Sequence, residues 1–245
     1  MSTLPGILEV VEKCTSMHRG VGRYSANAIK LQRKQATFNE EIGRHLAVSS
    51  IPELEKSLKL DRGFWSLISI REPQVPKPGF LAMAKRFHVV VCEDREEVDP
   101  NVPSRPPRVE DVTGIFQFVD AYPDEPILVH CLAGLSRSPA VALAFIVRGM
   151  IHRGWDVNTS QPLVERAVEL LLQIRRKARP NVLFLRLCLE QFLSVEAAHD
   201  LTVALVNHPV LMENQFVKQP ESHGPYRLGS RSRRRELPIP SRHLL

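Results

Sequence analysis

No stretch of this sequence comes near a run of roughly 20 apolar residues, the length a membrane-spanning helix needs. The opening Met1-Ser2-Thr3-Leu4-Pro5 has no basic segment leading into an apolar run, so no secretory leader is expected. Cysteine is scarce: four residues, at positions 14, 92, 131 and 188, with neither Cys-x-x-Cys nor zinc-ligand spacing. A disulfide framework is therefore not expected, and a reducing, cytoplasmic location suits the thiols best. No internal repeat is visible, which excludes solenoid and propeller architectures.

What is present is an ordinary core and an uneven charge. Apolar residues make up 43% of the chain, enough for one buried core in a protein of this length plus appendages. The net charge is +6 and the pI near 9.3. Much of the excess lies in Arg227, Arg231, Arg233, Arg234, Arg235 and Arg242, set among Gly, Ser and Pro, so residues 201–245 read as a disordered basic tail. Such a tail can meet nucleic acid, anionic lipid or an acidic partner, but its ordinary role is a solvated terminus. The positive balance favours anionic partners or substrates without choosing among them.

Along the chain, residues 5 to 48 read mainly helical. Asn27 to His45 is polar on most faces, with Ile29, Leu31, Phe38 and Ile42 as its apolar positions. Ile51 to Leu60 makes a short amphipathic helix before Gly63. Phe64 to Ile70 and Phe87 to Cys92 are strand candidates, followed by a loop with Pro100, Pro103, Pro106 and Pro107. Val112, Ile115, Phe116 and Val119 predict a helix from Val109 to Ala121. A strand at 126–130 and helices at 139–152, 161–176 and 182–197 complete the series. Strands separated by helices predict a three-layer α/β fold whose central, mainly parallel sheet is flanked by helices. The expected organisation is a helical N-terminal extension over 1–60, a catalytic domain over 61–200 and the tail over 201–245.

The densest chemistry is His130-Cys131-Leu132-Ala133-Gly134-Leu135-Ser136-Arg137-Ser138. It lies between the apolar run Ile127-Leu128-Val129 and the apolar stretch opening Pro139-Ala140-Val141. A buried strand thus delivers a cysteine to a tight loop that opens into a helix. Backbone amides of Leu132, Ala133, Gly134, Leu135, Ser136 and Arg137, with the helix N-terminus, suit an anion such as phosphate. Arg137 can add a two-pronged contact to two oxygens. The nucleophilic form of a cysteine is its thiolate, which helix N-termini and nearby cations favour. Gly134 permits the turn that faces the amides inward. Ser138 can donate to the sulfur or cap the helix, with Pro139 in its first turn. His130 is expected to order the loop from behind. A structural cysteine on a strand–loop–helix turn is the bland alternative, and the fixed offsets of His, Cys, Gly, Arg and Ser weigh against it.

These residues resemble the signature loop of the cysteine-dependent protein tyrosine phosphatases, in the form His-Cys-x-x-Gly-x-Ser-Arg-Ser-Pro of the dual-specificity-like branch. A second resemblance lies in Ile174-Arg175-Arg176-Lys177-Ala178-Arg179-Pro180-Asn181-Val182, similar to the Pro-Asn helix junction late in that domain. A bacterial group of predicted tyrosine phosphatases, with an Ala-Gly-[Ile/Leu]-Ser-Arg-Ser loop and an Ala-x-Pro-Asn junction, is closer still. The likeness spans about residues 61 to 197. Low-molecular-weight phosphatases carry their loop near the N-terminus and rhodanese-like loops lack Gly-x-Ser-Arg-Ser, so chain order favours the dual-specificity type.

The resemblance implies catalysis without metal or organic cofactor, by Cys131 as nucleophile and Arg137 as phosphate ligand, with Ser138 stabilising the sulfur. It also implies an aspartic acid on an upstream loop as proton donor. Glu93-Asp94-Arg95-Glu96-Glu97-Val98-Asp99 follows the 87–92 strand. Asp94, at the strand exit, is preferred. Asp99 stands 32 positions before Cys131, a spacing common in compact dual-specificity domains, and is the alternative. Cys92 can protect Cys131 by a disulfide on oxidation, although an inert buried thiol is the simpler reading. The expected activity is hydrolysis of phosphomonoesters on a protein or a small molecule. The competing expectation is a pseudophosphatase that binds phosphate without turnover.

Overall fold

The structure is a computed structural model that describes residues 37–96, 104–157 and 160–216. Its first feature is a hairpin. Asn39 accepts the backbone N–H groups of Glu41 and Ile42 through Oδ1 at 3.0 and 3.3 Å, and Gly43 turns back at φ +70°. The turn joins β1 (Thr37–Asn39) to β2 (Arg44–Ser49) in antiparallel register, Phe38 opposite His45. Residues 37–49 are therefore a β-hairpin, and the helical reading of 5–48 fails there; residues 1–36 lie outside the described residues. The reason is physical: Leu46, Ala47 and Val48 are all buried, and a short apolar run enclosed on both faces carries no alternation that separates strand from helix.

Helix α1 (Ile51–Leu60) follows at once, started by a reciprocal capping box between Ser50 and Glu53. Strand β3 (Ser66–Arg71), a 3-10 turn at Gly79–Met83, strand β4 (Arg86–Val91) and helix α2 (Val109–Asp120) come next. Strand β5 (Ile127–His130) leads through the loop into α3 (Arg137–His152) and then α4 (Ser160–Ile174). The sheet order is β1-β2-β5-β3-β4, parallel except for β1, as expected for a mainly parallel α/β fold. β5 is inserted between β2 and β3, so Ser49 and Ser69 flank His130 in register at the carboxyl ends of three adjacent strands. A ligand site belongs at such an edge.

Helices cover both faces. On one, Ala47, Leu67 and Leu128 pack against Leu54 and Leu58 of α1 and against Leu81. On the other, Leu46, Val48, Ile68, Ile70, Val90, Ile127 and Val129 pack beneath α2 and α3. Helix α3 buries 13 of its 16 residues, which makes it a core helix apolar all round. At Gly149 the 40–43 turn approaches so closely that a Cβ would lie 2.5 Å from the Glu41 carbonyl oxygen and 2.6 Å from Ile42 Cγ2.

The C-terminal part departs from expectation twice. The helix expected over 182–197 is two, α5 (Val182–Leu189) and α6 (Val195–Val206), because Ser194 accepts Ala197 N–H and starts a new helix. Residues 201–216, expected within a disordered tail, complete α6 and form α7 (Pro209–Phe216), with Leu201, Leu205 and Leu211 buried in the main core. The arginine-rich segment beyond lies outside the described residues. Among the described residues, no helix is long and apolar enough to cross a membrane.

Candidate active site

Cys131 stands immediately after β5, 1% exposed. Ser138 Oγ donates to its sulfur at 3.1 Å. Between them the loop makes an ordered set of backbone contacts. The carbonyl of Leu132 accepts Ile51 N at 3.1 Å, and that of Leu135 accepts Arg179 N at 2.8 Å. Ala133 and Gly134 carbonyls accept Arg175 Nη2 and Nε at 3.1 and 3.0 Å. The Ser136 carbonyl accepts Asn181 N and Ala140 N at 3.3 and 3.1 Å. Five successive carbonyls are thus turned outward, onto α1, the α4–α5 junction and α3. In a trans peptide the N–H points opposite its C=O, so the amides of residues 133–137 face inward. None of the amides of 132–137 donates to a protein carbonyl among the described residues.

Gly134 is required here twice over. Its φ is +68°, and a Cβ would come within 2.7–2.8 Å of the Ser49–Ser50 peptide. No adjustment of a side chain relieves that contact, because the obstruction is backbone.

Arg137 is 2% exposed and anchored at one end. Nη1 donates to the Cys92 carbonyl at 2.6 Å, and Nη2 to Glu72 Oε1 at 3.1 Å. Its Nε has no hydrogen-bond partner, although Asp94 Oδ2 lies 3.8 Å away. A buried guanidinium edge held in place with a donor to spare is suited to an oxyanion. Glu72, which follows β3 directly, was not foreseen from sequence. Only its place at the carboxyl end of the strand beside β5 marks it.

Asp94 leans over the loop. Its Oδ1 accepts Ser136 Oγ at 2.7 Å and Asn181 Nδ2 at 2.9 Å. Asn181, wholly buried, also donates to the Arg95 carbonyl and caps α5 by accepting Phe184 N at 2.8 Å. The Pro-Asn junction therefore ties the 93–96 loop to the cysteine loop. Asp99 lies outside the described residues.

His130 stands behind the cysteine with no solvent exposure, and its Nε2 shares a 2.8 Å hydrogen bond with Ser69 Oγ. Burial pushes its pKa down to about 4; the backbone of Cys131 opposes this shift and the Arg137 charge adds to it. The ring is neutral at physiological pH. Cys92, Cys131 and Cys188 are all free and buried. Burial pushes the Cys92 thiol up to about 12 against the pull of Arg137, and burial raises Cys188 as well. Both are poor nucleophiles, in keeping with the inert reading of Cys92.

The loop side chains complete the picture. Leu132 and Leu135 are half-buried and Ala133 exposed, so the mouth of the cradle carries apolar groups. Each site residue expected from the sequence that is described, Cys131, Arg137, Ser138, Asp94 and the loop 132–136, falls in this one cluster. Glu72, Glu53 and the direct contact of Arg175 are additions from the structure. The Ser50-x-x-Glu53 spacing is the capping signature by which Glu53 could have been found in the sequence.

No family model matches the chain, and no curated protein matches it. Among solved structures, the chain is similar to the human tyrosine phosphatase-like serine/threonine/tyrosine-interacting protein, at 23% identity over 58% of this chain and 81% of that one, with a TM-score of 0.37. It is similar to the Yvh1 phosphatase domain from Chaetomium thermophilum at 20% identity, over 64% and 94% of the two chains, with a TM-score of 0.44. Likeness extends to OH1, a tyrosine phosphatase from the Orf virus, at 15% identity over 67% and 96%, with a TM-score of 0.40.

Proposed function

We propose that this chain is a cysteine-dependent phosphoric monoester hydrolase of the protein tyrosine and dual-specificity phosphatase type. The observation that carries the reading is the cradle: five outward-tied carbonyls, inward amides and the spare Nε of Arg137, in the loop that begins at Cys131 and ends on the Ser138 that donates to its sulfur. The loop sequence Ala133-Gly134-Leu135-Ser136-Arg137-Ser138 favours the bacterial branch of that group.

In the first step the thiolate of Cys131 attacks phosphorus in line with the ester oxygen. An S–P bond forms, the P–O bond breaks, and Asp94 gives its carboxylic proton to the departing alkoxide or phenoxide. The inward amides and Arg137 hold the equatorial oxygens as charge develops on them. In the second step a water attacks phosphorus and loses its proton to Asp94. The S–P bond then breaks, and Ser138 Oγ stabilises the departing sulfur. The sum is ester plus water giving alcohol and inorganic phosphate.

The apolar Leu132, Ala133 and Leu135 supply no cation for a second phosphate, which favours a phosphotyrosine, phosphoserine or phosphothreonine protein, or a small phosphoester, over polyphosphorylated inositol. The test is release of inorganic phosphate from an aryl phosphate by the wild-type chain and by Cys131→Ser. Wild type should turn over; the variant should fall below roughly a thousandth of that rate while still trapping phosphoprotein. A wild-type chain that retains phosphoprotein and releases no phosphate would be a binding module, and the proposal would fail.

A further inference from the structure

Arg175 is the first residue beyond α4, and its side chain makes four hydrogen bonds. Nη1 donates to both Glu53 carboxylate oxygens at 3.1 and 3.0 Å. Nε and Nη2 form a fork onto the successive carbonyls of Gly134 and Ala133 at 3.0 and 3.1 Å. Glu53 is itself fixed, since its Oε2 accepts both the N–H and the Oγ of Ser50 at 2.9 Å in the capping box of α1. Burial alone would raise the Glu53 carboxyl, but Ser50 and Arg175 outweigh it and hold the group below its usual range, so the pair is ionic.

The two carbonyls belong to the peptide planes 133–134 and 134–135. Those planes carry, on their opposite edges, the N–H groups of Gly134 and Leu135. A cation bonded to a C=O draws electron density along the amide and strengthens the N–H at its other end as a donor. We propose that Arg175, held by Glu53, is a positioning residue of the phosphate loop: it fixes these two peptide planes and polarises them, so that the Gly134 and Leu135 amides bind an oxyanion more strongly. The guanidinium acts from outside the cradle and touches no substrate. This inference rests on the reading of the loop as a phosphate site.

A lysine cannot replace the fork, because a single ammonium cannot meet two carbonyls and a bidentate carboxylate in one plane. The experiment uses the full chain in a Cys131→Ser background, titrated with inorganic phosphate and followed by the amide proton and nitrogen shifts of residues 132–137. In that parent, phosphate should shift the loop amides. Adding Arg175→Lys should raise the phosphate Kd roughly 10-fold, through two weakened and less well fixed amide donors at Gly134 and Leu135. Before phosphate is added, Gly134 and Leu135 amide resonances should already move upfield more than that of Leu132. With Cys131 restored, kcat/KM for an aryl phosphate should fall in parallel.

A merely structural clamp would lower Tm and leave the folded molecules with parental phosphate affinity and amide shifts; that result overturns the proposal. Should Arg175→Lys fail to fold, Glu53→Gln carries the test, because glutamine keeps an acceptor for the capping box and removes the charge. It should weaken phosphate severalfold, and unchanged affinity would again overturn the inference. If phosphate moves no loop amide in the parent, the phosphatase reading fails and this inference fails with it. If phosphate binds there and both variants match the parent, only the role of Arg175 is lost.

Discussion

Asn181 Nδ2 donates to Asp94 Oδ1 at 2.9 Å across 87 positions of sequence. Ser136 Oγ donates to the same oxygen at 2.7 Å. With Oδ1 occupied by two donors, a proton on Asp94 belongs on Oδ2, the oxygen 3.8 Å from Arg137 Nε. On the proposed mechanism, the proton that Asp94 transfers would then face the end of the loop where Arg137 would hold phosphate.

Asp94→Asn should depress turnover most for alkyl phosphoesters, whose leaving oxygen needs protonation, and least for an activated aryl phosphate. The decline of rate on the basic side of the pH profile should flatten, since that limb reports a group that must be protonated. Asn181→Ala should show a weaker version of the same leaving-group dependence. It should also cost about 1–2 kcal/mol of stability through loss of the α5 cap. Equal losses on both substrate classes would remove Asp94 from the role of acid.

Arg137→Lys should lower kcat/KM by roughly 100-fold or more while the chain still folds. An ammonium can reach either the Cys92 carbonyl or Glu72, but it cannot satisfy both and still present a second donor. Steady-state kinetics with an aryl phosphate and a phosphate-inhibition constant check this; near-normal values would place phosphate elsewhere.

His130 makes stability depend on pH in mildly acidic solution. Its pKa is about 4 when folded, below the ordinary 6.5, so between these values the unfolded chain holds the extra proton. The stabilisation is complete above pH 6.5 and is lost as pH falls toward 4, by about 3 kcal/mol in total at roughly 1.4 kcal/mol per unit. Urea midpoints measured from pH 7 to 4 should fall accordingly, and His130→Gln should flatten the upper part of that curve.

Two glycines should separate stability from activity. Gly149→Ala drives a methyl into the Glu41 carbonyl and should cost about 1–3 kcal/mol with little change in kcat at temperatures where the protein is folded. Gly134→Ala meets the Ser49–Ser50 backbone at positive φ and should abolish activity by displacing the loop. Paired thermal melts and turnover numbers distinguish them.

The cysteine loop was readable because its chemistry is contiguous: one nonamer holds nucleophile, glycine turn, arginine and hydroxyl. Asp94 was reachable because a strand exit delimits where an acid can stand. The β1–β2 hairpin was not, since three consecutive apolar residues fit a buried strand or a helix equally, and only the Asn39 and Gly43 turn chemistry favours the former. The ties made by Glu72, Glu53 and Arg175 depend on which strand ends and helix ends meet in space. No periodicity in the chain encodes that. Helix α6 runs past residue 197 because Leu201 and Leu205 find a core to pack on, and α7 joins it through Leu211, which outweighs the polar composition of the segment that follows.

The outward carbonyls of the loop have a kinetic corollary. Apart from Ala140, a local donor to the Ser136 carbonyl, their donors are Ile51, some 80 positions upstream, and Arg175, Arg179 and Asn181, some 40 positions downstream. No local segment can build the whole cradle, because these closures span long stretches of chain. During refolding, enzymatic competence should emerge after secondary structure and core burial are in place, as the last docking of α1 and the α4–α5 junction onto the loop. Recovery of turnover, lagging recovery of far-ultraviolet circular dichroism, would then time the arrival of these long-range contacts.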